Sequence, residues 1–254
     1  MKTLERALRV VRASGRKALV PYFVAGLTPD WIQHVEAAIH AGADAVEVGI
    51  PFSDPMIDGV VIQEAALRAL RAGTTVDSIC TDVLGLAGSV PLVAMTYYNV
   101  LHHYGLERAA GKFQSSGVLG AIVPDLALEE SRDWTQACDR ADVATVFLVA
   151  PSTPAARVAL LAERTEGFAY AAARMAVTGH SADAGHAQRV VQSIRAVSDI
   201  PALVGIGIST PDQARAAAET SDGVIVGTAL VRVILEGGGT AEVESFVRSF
   251  RAAL

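Results

Sequence analysis

Cysteine is scarce: Cys80 and Cys138 are the only two in 254 residues, 58 positions apart and outside any CxxC spacing. Neither a disulfide framework nor a zinc knuckle is encoded, and both read as reduced, buried, small hydrophobes. Long apolar runs are missing as well, since no stretch approaches the roughly 20 residues of a membrane span. Lys2, Glu5, Arg6, Arg9, Arg12, Arg16 and Lys17 interrupt the first twenty residues, which leaves no hydrophobic stretch for a signal peptide. The expectation is a cytoplasmic protein. Positive charge is in deficit too: 21 Lys+Arg stand against 27 Asp+Glu, a net charge of −6, without a long basic run. That excludes the footprint of a nucleic-acid or anionic-membrane binder. HExxH is absent and no other His or Cys pair has ligand spacing, so no metal site is expected. His102 and His103 are adjacent and would face apart, and His34 and His40 read as positions on a surface helix.

What the chain does have is apolar sequence, 51% of its residues, enough for a large core without staples. Short apolar runs bounded by Gly, Pro or Asp begin near Ala18, Ala45, Pro91, Ala121, Ala144, Phe168, Pro201 and Gly223, giving eight strand candidates. They are continuous, as in Ala144-Thr145-Val146-Phe147-Leu148-Val149, the pattern of parallel strands buried on both faces. Helical spacing fills the intervals, for example Trp31, Val35, Ala38 and Ile39, or Val158, Leu161 and Ala162. Start signals precede several of these segments: Thr28-Pro29-Asp30, Ser152-Thr153-Pro154 and Thr210-Pro211-Asp212.

Eight such units predict a (β/α)8 TIM barrel, one domain over residues 1–254. An N-terminal helix carrying Leu4, Leu8 and Val11 is placed to plug the barrel's lower mouth. The long second interval has room for a functional loop, Pro51 to Gly59, and two helices, Ile62 to Ala72 and Val76 to Ala87. Two more, Ala229 to Leu235 and Glu242 to Ala253, follow strand eight and flank Gly237-Gly238-Gly239, read as a flexible break. The rival, a doubly wound open sheet, predicts a dinucleotide fingerprint after strand one. Val24-Ala25-Gly26-Leu27-Thr28-Pro29 is not one, and Gly205-Ile206-Gly207-Ile208-Ser209-Thr210 fails at its sixth position.

Barrel chemistry lies at the C-terminal ends of the strands. Glycines leave strand six in Val177-Thr178-Gly179, strand seven in Gly205-Ile206-Gly207-Ile208-Ser209 and strand eight in Gly227-Thr228-Ala229. Main-chain N–H groups there can approach an anion, and the loops after strands seven and eight are where barrels hold phosphate. Tight turns without a ligand are the alternative. Among acids, Glu47 lies inside strand two, where a buried carboxylate must be protonated, paired or turned to a polar ligand. Asp54 and Asp58 follow in the loop. For Glu47 a structural ion pair with a basic group is the competing reading; Glu47 and Asp58 converging on one pocket would suit acid–base chemistry. Asp125, leaving strand four after Pro124, is either a third acid or a turn former. His180 and Ser181 could touch a phosphate or be solvated loop. Tyr97, Tyr98, Asn99 and Tyr170 carry little signal alone, since barrel tyrosines are usually packing.

One run is far more specific: Glu47-Val48-Gly49-Ile50-Pro51-Phe52-Ser53-Asp54-Pro55, followed by Asp58-Gly59 and Ile62-Gln63. It resembles the signature of the tryptophan synthase alpha subunit family. Met95-Thr96-Tyr97-Tyr98-Asn99, Val123-Pro124-Asp125-Leu126, Val177-Thr178-Gly179, Gly207-Ile208-Ser209-Thr210-Pro211 and Asp222-Gly223-Val224-Ile225-Val226-Gly227 agree in order and spacing. The resemblance implies retro-aldol cleavage of indole-3-glycerol phosphate to indole and glyceraldehyde 3-phosphate, without a cofactor. It also implies an alpha2beta2 complex in which indole passes to a pyridoxal-phosphate-bearing beta subunit. Carried over by position, Glu47 is the catalytic acid–base and Asp58 its partner carboxylate. Tyr170 stands beside the glycerol moiety and Tyr97 in the pocket wall. Thr178, Gly179, Gly207, Gly227 and Thr228 form the phosphate and substrate cradle, Thr228 replacing a usual Ser.

Some positions depart from the family pattern. In the stretch Ala173 to Gly179, within the loop that the resemblance implies closes over substrate, Ala173 replaces Ser and Ala176 replaces Gly. Ile206 replaces Phe, Val100 and Ala127 replace prolines, and Ile57 and Val60 replace Ala and Pro. These changes spare the acids but touch loops that face a partner. Two alternatives therefore stand beside an alpha subunit: a stand-alone indole-glycerol-phosphate lyase, and a catalytically weak paralogue that regulates a beta-type enzyme.

Overall fold

The computed structural model describes residues 1–172, 184–205 and 207–254. Among them run nine strand segments: β1 (Ala18–Val24), β2 (Val46–Gly49), β3 (Leu92–Met95), β4 (Val118–Ile122), β5 (Ala144–Val146), β6 (Leu148–Val149), β7 (Ala169–Ala172), β8 (Ala202–Gly205) and β9 (Gly223–Val226). Their order is β5-β4-β3-β2-β1-β9-β8-β7-β6, with every pairing parallel. The two edge segments are consecutive in sequence. Phe147 alone separates β5 from β6, and its carbonyl accepts from Tyr170 N–H at 3.1 Å. β5 and β6 are thus one interrupted barrel strand, and the eight-stranded barrel closes through it.

The described residues form twelve α-helices. α1 (Thr3–Ala13), α2 (Trp31–His40), α3 (Val60–Arg71), α4 (Val76–Asp82), α5 (Tyr98–Tyr104) and α6 (Leu106–Ser115) belong to the first half. α7 (Arg132–Arg140), α8 (Ala155–Arg164), α9 (Ala184–Arg195), α10 (Pro211–Ala218), α11 (Thr228–Leu235) and α12 (Thr240–Arg251) belong to the second. Seven of the eight strands start within one residue of expectation. β4 starts three residues early, at Val118, because Val118, Leu119 and Gly120 are already strand and the turn before them ends at Gly117.

The interior and exterior of the barrel are two separate cores. Val20, Val93, Ile122, Val146, Leu203 and Ile225 fill the inside, and Leu4, Leu8 and Val11 of α1 join this cluster from below. Leu4 is fully buried, and a Cβ on Gly120 or Gly167 would approach its Cδ2 to 2.6 Å. Those two glycines make the socket for the plug. The larger outer core lies between sheet and helices and contains Val46, Val48, Val204 and Val224 against apolar faces such as Trp31, Val35 and Ala38. Strand residues therefore alternate between two buried faces, which is why the strands read as unbroken apolar runs.

Three expectations need correction. The Gly237-Gly238-Gly239 run is a helix stop, not a flexible break: Gly238 N–H donates to Val233 O at 2.9 Å and Gly237 N–H to Ile234 O at 3.0 Å, with Gly237 at φ +92°. Of the three expected start signals, Thr210 alone caps with its side chain, accepting from Gln213 N–H, with Pro211 at the first helical position. His34 is not a surface residue; it is 2% exposed, in step with Trp31, Val35 and Ala38 on the buried face of α2.

Candidate active site

The catalytic-end pocket is lined by Tyr22, Glu47, Ile57, Asp58, Ile62, Met95, Leu148, Tyr170, Gly207, Ile208, Ser209, Ile225, Gly227 and Thr228. Every strand contributing to it does so with its last interior residues or the turn that follows. Glu47 sits on the interior face of β2, between Ala45 and Gly49 along the strand, and in register with Tyr22 of β1 and Val93 of β3. It is 1% exposed, and its Oε2 has no hydrogen-bond partner. Burial pushes its carboxyl up to about 8, and the negative charge of Asp58 adds to the effect. At neutral pH Glu47 is mainly a carboxylic acid holding a transferable proton.

Asp58 ends the loop between β2 and α3. Tyr97 Oη donates to Asp58 Oδ2 at 3.0 Å and accepts from Ile57 N–H at 3.2 Å, while Gln63 Nε2 donates to the Asp58 carbonyl at 2.7 Å. The Phe52 ring lies 5.3 Å from that of Tyr97. Burial raises the Asp58 carboxyl, and the Tyr97 hydrogen bond works in the opposite direction. Tyr97 does not line the cavity itself; it sets the loop and the charge of the residue that does. The two carboxyls are thus differentiated by environment: one is partnerless and buried, the other holds a phenol donor.

At the opposite side of the pocket, Gly207 adopts φ +92°, a conformation that L side chains rarely take. Gly227, with no side chain, precedes the first turn of α11, whose N-terminus therefore has no side-chain cap. Thr228 begins that helix. In contrast, Ser209 N–H is occupied by Gln213 Oε1 at 2.7 Å. Gly207, Gly227 and Thr228 are the expected cradle residues that the structure brings together. Thr178 and Gly179 lie outside the described residues, as do Ala173, Met175, Ala176, His180, Ser181 and Ile206.

Other candidates fall away from the pocket. Asp125 is exposed, and its Oδ1 accepts from Tyr98 N–H at 2.9 Å, at the start of α5. It tethers a helix and does not face the cavity. Asp54 is exposed and bonds to Ser53. His102 and His103 are exposed on α5. Among the described residues, no three His, Cys, Asp or Glu side chains are grouped so as to hold a metal ion.

One lining residue escaped the sequence reading: Tyr22. The ring crosses from β1 over β2, where a Cβ on Gly49 would overlap its hydroxyl. Tyr170 of β7 lies over Gly205 of β8 in the same way. Each tyrosine is in register with a residue two before that glycine, Tyr22 with Glu47 and Tyr170 with Leu203. Burial, with the two carboxylates adding, raises both phenols far above the ordinary range, so both keep their protons. The signal for Tyr22 was the Tyr–Gly pairing across neighbouring strands, which only the register reveals.

The tryptophan synthase alpha chain family model matches residues 8–252. The tryptophan synthase alpha chain of Thermobifida fusca is 42% identical over 263 aligned positions, covering 100% of this chain and 97% of the relative. That of Streptomyces coelicolor is 40% identical, covering 100% and 96%. Among solved structures, a chain of Mycobacterium tuberculosis tryptophan synthase superposes with a TM-score of 0.93 at 36% identity, covering 99% of this chain and 98% of that one. The tryptophan synthase subunit alpha of Legionella pneumophila gives 0.91 at 30% identity, covering 100% and 98%. This chain belongs to the tryptophan synthase alpha chain family.

Proposed function

We propose that the protein is the alpha subunit of a tryptophan synthase, a lyase that cleaves indole-3-glycerol phosphate to indole and glyceraldehyde 3-phosphate. The observation that carries the reading is Glu47: a buried, partnerless carboxyl, protonated at neutral pH, sharing one pocket with a second carboxyl held by a phenol. Glu47 gives its proton to indole C3, and positive charge spreads to the ring nitrogen. Asp58, ionised, accepts from the ring N–H and stabilises that charge. The Glu47 carboxylate then takes the proton of the chain hydroxyl beside the ring. The bond from C3 to the chain breaks, its electrons restore the indole, and the oxygen becomes the aldehyde carbonyl. Glu47 ends as it began. Each step moves a proton or breaks one bond heterolytically, so the chain's own side chains suffice.

The phosphate is held by main-chain N–H groups around Gly207, Gly227 and Thr228, favoured by the N-terminal dipole of α11. Thr178 and Gly179 belong to this proposal from their motif. Indole is handed to a beta subunit in an assembled synthase. None of the helices formed by the described residues is long and apolar enough to cross a membrane, and a cytoplasmic location accords with this. Indole release is measured on the isolated chain and again with a beta subunit. Slow release that the partner strongly stimulates is the expected result. Fast release unaffected by the partner would mark a stand-alone lyase, and none under either condition would overturn the assignment.

A further inference from the structure

The proposed reaction accounts for the ring nitrogen, at Asp58, and the phosphate, at the glycine turns. The resemblance sets Tyr170 beside the glycerol moiety, which leaves the chain hydroxyl next to the indole ring without an assigned partner. The pocket offers two phenols, Tyr22 and Tyr170, neither of which hydrogen-bonds any group among the described residues. They come from β1 and β7, three strands apart round the barrel. The Tyr170 hydroxyl lies at the end of β8, against Gly205, one turn from the phosphate-side Gly207. The Tyr22 hydroxyl lies at the end of β2, against Gly49, one interior position above Glu47 and below the Asp58 loop. Tyr22 also spans the pocket: a Cβ on Gly227 would lie 3.4 Å from its Cβ, so its base faces the phosphate end and its tip the carboxyls.

We propose that Tyr22 Oη is a substrate-binding group that hydrogen-bonds the chain hydroxyl next to the indole ring, the oxygen that becomes the carbonyl. This rests on the cleavage reading above. A substrate extended from Gly227 toward Asp58 presents its ring-side hydroxyl at the height of Gly49, where Glu47 must collect that hydroxyl's proton. A phenol that stays protonated leaves the proton's exit to Glu47 and fixes the oxygen's direction. The free hydroxyl has no structural hydrogen bond to serve among the described residues: it lies over Gly49 with the ring edge beside it. Tyr22→Phe removes the interaction and keeps the ring packing, at the cost of the oxygen's contact over Gly49, a loss common to every ligand.

The test measures binding on a Glu47→Gln background, with and without Tyr22→Phe. The ligands are indole-3-glycerol phosphate and its two monodeoxy analogues, one lacking the ring-side hydroxyl and the other the phosphate-side hydroxyl. Leaving a buried substrate hydroxyl unpaired corresponds to about 5- to 150-fold in Kd. That weakening is expected for the full substrate and for the phosphate-side deoxy analogue, and less than twofold for the ring-side deoxy analogue. An equal loss for all three ligands means the phenol acts only through packing and overturns the proposal, as does no loss for any. Indole release by the otherwise wild-type chain with its beta subunit is measured alongside. If that is absent, the cleavage reading itself fails; if it is present with equal losses, only the assignment of Tyr22 fails.

Discussion

Replacing Glu47 by Gln should make the folded protein less sensitive to alkaline pH. In the folded state the Glu47 carboxyl is raised from 4.5 to about 8, so between those values the native chain holds a proton that the unfolded chain has lost. Stability then falls as pH rises, because the native state binds more protons than the unfolded state. The penalty is absent below pH 4.5 and complete above about pH 8. At about 1.4 kcal/mol per pH unit, its ceiling is about 5 kcal/mol. The Gln amide carries no titrating proton, and whatever its unpaired N–H groups cost is independent of pH. Urea unfolding of both proteins from pH 5 to pH 9, followed by the fluorescence of buried Trp31 and Trp134, isolates the effect as the difference between the two curves. That difference should swing toward the Gln variant by several kcal/mol across the range. A constant difference would mean that Glu47 is ionised in the folded state, and the acid role proposed for it would fall.

Three further outcomes follow from particular contacts. Tyr97→Phe removes the donor that holds the Asp58 carboxyl down and frees Ile57 N–H, so the acidic limb of the kcat/KM profile should move to higher pH; an unmoved limb would show that Asp58 does not report there. Gly207→Val places a β-branched side chain at φ +92° beside the pocket, and titration with glycerol 3-phosphate should show at least tenfold weaker binding, with unchanged affinity contradicting the cradle. Leu4→Ala empties the socket formed by Gly120 and Gly167 and should lower stability by about 2–5 kcal/mol in urea unfolding; a loss under 1 kcal/mol would mean that α1 does not plug the barrel.

The barrel was legible because its strands are buried on both faces and its helices on one, two patterns that local sequence carries without help. What was illegible depends on partners distant in sequence. α5 has no start signal of its own; its first N–H is received by Asp125 from the loop after β4, which also explains why a candidate acid became a tether. β4 hid behind Gly117 and Gly120, the latter a strand residue whose missing Cβ admits Leu4. His34 was legible and misread, since Trp31, His34, Val35 and Ala38 share one helix face. In the site, Glu47 stood out as a charge in an apolar strand, whereas Tyr22 carries no charge and sits inside an apolar run. Its importance depends on a register with Glu47 and a glycine opposite, neither visible until β1 and β2 are paired.

The central claim is that Glu47 moves the protons of the cleavage. Its most direct test is single-turnover indole release at saturating indole-3-glycerol phosphate, comparing wild type with Glu47→Gln in the presence of the beta subunit. The account expects a loss of about 100- to 10,000-fold in a variant whose circular dichroism is that of the wild type. A folded Gln variant that releases indole at near the wild-type rate would contradict it.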